Sequence, residues 1–151
     1  MHLDHYLFRL TSKTKTKTDY EFTSIGPKGF IKKTIRFTLM GHNCYNLAFG
    51  EINAQTGIIN DNVNSGNNDP EMILATVAAV VENFTTEHPE AFIYARGSTL
   101  SRTRLYRLCI TKYWKDVTDQ FDIFGFQNGE WQDFIQNQKY SAFLGTRNHL
   151  K

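Results

Sequence analysis

The stretch from Asp69 to Thr86 constrains this chain more than any other. Behind Asp69-Pro70-Glu71 come Met72, Ile73, Leu74, Ala75, Val77, Ala78, Val80, Val81 and Phe84, which wrap most of a helix's circumference. A helix that apolar has to be central in the fold or covered by a partner chain, so burial is its expected role rather than a ligand site. Its start is well marked. Asp69 can accept from the free amides of the first turn, Pro70 suits the first helical position, and Glu71 favours the positive end of the dipole. His88-Pro89-Glu90 ends it.

The flanking segments read mostly as strands. Tyr20 to Ile25 alternates with period two, Gly26-Pro27-Lys28-Gly29 is turn chemistry, and Phe30 to Leu39 resumes the strand pattern, which makes a hairpin. After the break at Gly41-His42-Asn43, Tyr45 to Ile52 is a third strand, and short turns make the three an antiparallel meander. Ile58-Ile59 is a short apolar pair ahead of the polar loop Asn60 to Asn68. Beyond the helix, Ala91 to Ala95 is a short strand, and a second helix fits from Thr99 or Leu100 to about Trp114. On it Leu105, Leu108, Cys109 and Tyr113 form the inner stripe and Arg104, Arg107 and Lys112 face outward. The tail offers a strand over Phe121 to Phe126, a turn at Gln127-Asn128-Gly129-Glu130, and an apolar set of Trp131, Phe134, Tyr140, Phe143 and Leu144. With 151 residues and 40% hydrophobic content, the chain is expected to form one α+β domain over 1–151, its first 19 residues partly mobile. The architecture is an antiparallel meander sheet with two main helices and a closing C-terminal hairpin packed on the sheet.

Several classes are poor fits. No run approaches the ~20 apolar residues of a membrane span, and Met1 to Tyr6 lacks the layout of a signal peptide, so a cytoplasmic protein away from membranes is the expectation. Cys44 and Cys109 match no metal or redox spacing and read as reduced, buried thiols. No cofactor motif is present.

Charge is informative by segment. The chain carries a formal net charge of +2, but Ile52 to Ala91 holds six acidic and no basic residues, and Phe92 to Lys115 six basic and no acidic ones. Either the two segments neutralise each other across a packed interface, or the basic one serves an anionic partner.

Within the basic segment, Arg96-Gly97-Ser98-Thr99-Leu100-Ser101-Arg102-Thr103-Arg104 puts a glycine, cap-type hydroxyls and guanidinium groups where a helix begins after a strand. Free amides and the helix dipole converge there, Gly97 permits close backbone approach, and arginine forks match phosphate oxygens. The spacing is not that of a Walker loop. The competing reading makes Ser98 or Thr99 an ordinary cap and pairs the arginines with Glu82, Glu87 and Glu90. The aromatic side chains Tyr94, Tyr106, Tyr113 and Trp114 would allow base stacking, Tyr106 above all because it can share a helix face with Arg102. Metal-free RNA cleavage would need a proton acceptor and donor, for which His42 or His5 with Tyr106 are weak candidates.

Two further segments carry less. Glu51, Asp61 and Asp69 with the neighbouring asparagines invite a metal reading, but counting from Asp61 puts Val63 third and Met72 twelfth, which fails the calcium-loop pattern. These side chains are better read as turn caps. Ser12 to Thr18, alternating lysine and threonine, reads as an exposed mobile loop.

The phrases Ser24-Ile25-Gly26-Pro27-Lys28-Gly29, Asn46-Leu47-Ala48-Phe49-Gly50-Glu51 and Arg96 to Tyr106 resemble those of a family of small uncharacterised bacterial proteins known mainly from the Bacteroidetes group. The resemblance runs from about Tyr20 to Phe143. It implies a compact bacterial cytoplasmic domain and carries no activity. Members often have an acid of the shorter kind where Glu51 stands, which weakens any metal role there. Small proteins of this type are often encoded in toxin and antitoxin or defence pairs.

The resulting expectation is a domain that binds RNA or another phosphate-containing ligand through Arg96, Gly97, Ser98, Thr99, Arg102 and Arg104, as the toxin of a two-protein module. The alternative is a non-catalytic interaction or structural module, a homodimer or the subunit of a cognate protein partner, in which the same arginines form internal salt bridges.

Overall fold

The computed structural model describes residues 4–60, 67–97 and 99–148. Strands β1 (Phe8–Lys13), β2 (Lys17–Gly26), β3 (Gly29–Gly41) and β4 (Cys44–Ile52) form an antiparallel meander, with β5 (Ile59–Asn60) paired to the end of β4. Helix α1 (Pro70–Glu87) then carries the chain back to β6 (Phe92–Ala95), which lies parallel to β4. Helices α2 (Leu100–Lys112) and α3 (Trp114–Gln120) lead to β7 (Phe121–Gln127), β8 (Glu130–Asp133) and β9 (Ala142–Arg147). The sheet runs β1-β2-β3-β4-β6-β9-β7-β8.

The domain is therefore α+β, as expected, with a mostly antiparallel sheet that contains the meander. Four features depart from the sequence reading. The β4–β6 pair is parallel, because α1 lies between the two strands in sequence and returns the chain to the end where β4 began. The second helix breaks at Tyr113, so α3 is a separate element. The tail closes as more than a hairpin. Residues 121–133 form one, turning through Asn128 (φ 54°) and Gly129 (φ 80°), but β9 inserts between β6 and β7 and joins that hairpin to the meander. At the other edge, the segment read as a lysine and threonine loop supplies the end of β1 and the start of β2, linked by the Thr14 amide donating to the Lys17 carbonyl.

Strand parity sorts the core. Ile35 and Phe37 on β3, Leu47 and Phe49 on β4, Ile93 and Ala95 on β6 and Phe143 on β9 are buried on the helix-covered face. α1 lays Val77, Val80 and Phe84 against them, and the Phe84 ring stacks on Phe37 with centroids 4.0 Å apart. On the opposite face Asp19 receives a bidentate fork from Arg36 at 2.9 and 3.0 Å. Arg36 also donates to the Gly57 carbonyl, tying the turn after β4 across that face.

Candidate functional site

The carboxyl ends of β4 and β6 and the amino ends of α1 and α2 meet over one end of the sheet, and polar side chains gather there. Lys33 opens the cluster. It shares strand parity with Ile35 and Phe37, so it points to the helix-covered side, where it is 4% exposed. Its amine lies 3.7 Å from the half-exposed carboxylate of Glu51 on β4. Burial lowers the Lys33 pKa from its ordinary value and the Arg102 charge lowers it further, while Glu51 and Asp69 act the other way. Arg102 comes from the first turn of α2, with its guanidinium 5.1 Å from the centre of the Phe49 ring.

Asp69 stands at the N-cap of α1, but its side chain does not cap. Its Oδ2 instead accepts from the Ser24 hydroxyl at 2.5 Å and the Tyr6 hydroxyl at 2.6 Å. Burial and the bond to Asp69 raise the Tyr6 pKa. The buried Asn67 continues the network, donating to Ser24 Oγ at 3.0 Å and the Gly29 carbonyl at 3.2 Å and accepting from the Lys28 amide at 2.8 Å. Tyr6, the β2–β3 turn and the entry to α1 are thereby joined as one wall beside Lys33.

The start of α2 is held from within. Thr99 caps the helix, its hydroxyl accepting from the Arg102 amide at 3.1 Å. Gly97 is buried, and its amide donates to Thr103 Oγ1 at 3.1 Å. A Cβ on Gly97 would come within 2.4 Å of the Thr103 nitrogen. The glycine is thus required by the contact of this turn with α2, and its amide is already engaged rather than open to a ligand. Leu100 and Ser101 are the first two residues of the helix, where amides have no partner within it.

The segment also presents cations outward. Arg96 and Arg104 are exposed and Arg107 is half-buried, and among the described residues none of the three makes an ion pair. The link between acidic α1 and basic α2 is instead made by Lys112 and Glu71 at 2.6 Å. Ser98 lies outside the described residues, as do positions 61–66 of the acidic loop. Among the described residues no group of three or more His, Cys, Asp or Glu side chains is placed to hold a metal ion.

Of the weak catalytic candidates, His42 and Tyr106 are apart. His42 is exposed in the β3–β4 turn at φ 45°, at the far end of β4 from Glu51. Tyr106 is 7% exposed, packed edge-on against Phe49 and Phe143 with centroids 5.7 and 6.5 Å away, so it serves the core rather than an open stacking surface. On the same helix Leu108 is half exposed and Thr103 buried, so the inner face is rotated from the expected stripe. The sequence reading missed Lys33 altogether, although its parity with Ile35 and Phe37 was available.

These features define a small α+β domain in which helices cover one face of a mixed sheet and a cation-rich polar cluster lies at the helix starts. The chain belongs to DUF6934, a family of unknown function, whose model matches residues 2–148. No curated protein and no solved structure matches the chain. No described helix is long and apolar enough to cross a membrane.

Proposed function

We propose that this domain binds phosphate-bearing partners, with single-stranded RNA the preferred class, through the first turn of α2 and the segment leading into it. The observation that carries the reading is that Arg96 and Arg104 stand exposed, without ion pairs among the described residues, beside the Thr99-capped helix start. Uncommitted guanidinium forks near a helix amino terminus match the paired oxygens of a phosphate. Arg102 and Lys33 supply positive charge at the inner edge. Gly97 sets the turn, Thr99 caps the helix that follows it, and Ser98 stands between them in sequence.

An RNA-directed toxin within a two-protein module is the specific form of this reading. A second reading, a protein-interaction module, is favoured by Leu100, 90% exposed at the start of α2, and by the half-exposed Leu108 two turns on. A cognate partner or a second copy covering these leucines would mask the same arginines.

The test is an anisotropy titration of labelled single-stranded RNA at two salt concentrations, with the wild type and an Arg96→Ala, Arg104→Ala variant. Neither side chain has an ion pair among the described residues, so the variant should melt with the wild type. Binding that weakens with salt, and about tenfold or more with the double change, supports the proposal. No binding at low salt rejects it and favours the protein-partner reading.

A further inference from the structure

Between the helices and the sheet lies a pocket of about 130 Å³, partly open to solvent and walled by α1, α2, α3 and strands β4, β6, β7 and β9. Its lining is almost wholly carbon and sulfur, with Leu47, Leu74, Val77 and Phe143 among the side chains that face it. Small residues contribute to its walls, Ala78 from α1 and Ala95 and Gly145 from neighbouring strands of the sheet. Cys109 also lines it, and burial raises the thiol pKa to about 11, as expected for a sulfur held among hydrocarbon.

Water is a poor occupant. A buried water needs two to four polar partners, and a thiol is a weak donor. Apolar cavities of similar size, ~150 Å³, stay dry and admit benzene. We propose that this cavity is a binding site for a small uncharged apolar molecule of about the size of one aromatic ring. The site is separate from the polar cluster, with Phe49 and Tyr106 packed edge-on between Arg102 and the cavity. Its ligand is therefore not the phosphate-bearing partner, and either proposal can fail without the other.

The test is thermal melting of the full chain with benzene near its solubility limit, for the wild type and for Ala78→Leu, which fills the space. Benzene should raise the wild-type melting temperature by about 3 °C, and the filled variant should show no rise. No rise in the wild type, or an equal rise in both proteins, overturns the proposal. Methyl-resolved NMR decides should Ala78→Leu fail to fold. Benzene should then shift the wild-type methyls of Leu47, Leu74 and Val77 and leave exposed Ile25 and Ile58 unmoved. Uniform shifts, or none, overturn it.

Discussion

At the scale of single residues, Lys33 is the side chain whose placement is hardest to account for by stability alone. A nearly buried amine whose carboxylate partner is 3.7 Å away loses more hydration than the pair restores. Its pKa is lowered in the fold, so at high pH the unfolded chain holds a proton that the folded chain has released. In that window stability rises with pH, and the cost of burying the charge is fully present below it. Lys33→Met should therefore leave the melting temperature at pH 7 unchanged or raise it by a few degrees, because Glu51 can be solvated at the rim. Any advantage of the variant should shrink as pH approaches 10. A fall of more than about 1 kcal/mol at pH 7, or a gap that widens with pH, would show that the pair is there for stability. Lys33 was legible in principle. Ile31, Lys33, Ile35 and Phe37 share one strand face, but a lysine beside Lys32 reads as solvated until the neighbouring strands define which face is covered.

At the scale of elements, the turn from β6 into α2 decides where the cations stand. Gly97 fits against Arg102 and Thr103 so closely that any side chain must push α2 away. Gly97→Ala should cost about 2 kcal/mol in urea unfolding, because the nearest atom to its Cβ is backbone, and it should weaken RNA binding by moving Arg102. Equal stability and binding in the variant would mean that this contact does not set the helix position. The capping residue Thr99, the start of α1 and the Asn128-Gly129 turn were all readable locally, since each depends on side chains within a few residues. The face of α2 was not. Leu100, Leu105, Leu108 and Cys109 do not form one narrow stripe, and Tyr106 is drawn inward by Phe49 and Phe143 from distant strands. Asp69 shows the same limit. Its cap position was legible, but its partners, Ser24 and Tyr6, lie 45 and 63 residues away in sequence.

At the scale of the whole molecule, the order of strands was the least legible property. Local alternation marks Phe121 to Phe126 as a strand but contains nothing that selects β9 as its neighbour, and β9 joins the meander half to the hairpin half. The parallel pairing points β4 and β6 toward the same end of the sheet, β6 ending beside Leu47 and β4 running on to Glu51 and Ile52, so Glu51, reached through the meander, and Arg96, reached through α1, lie toward one end. The near-zero net charge hides this arrangement, because an acidic α1 and a basic α2 lie on the same side of the sheet and only part of their charge is paired. Binding of a phosphate-bearing partner at the start of α2 can be followed through the backbone amide resonances of the labelled protein during titration with a short oligouridylate. The largest shifts should fall on Arg96 and Thr99 to Arg104 and diminish as salt is raised. Shifts centred elsewhere, on the β7–β8 hairpin for example, or no shifts at low salt, would contradict binding there.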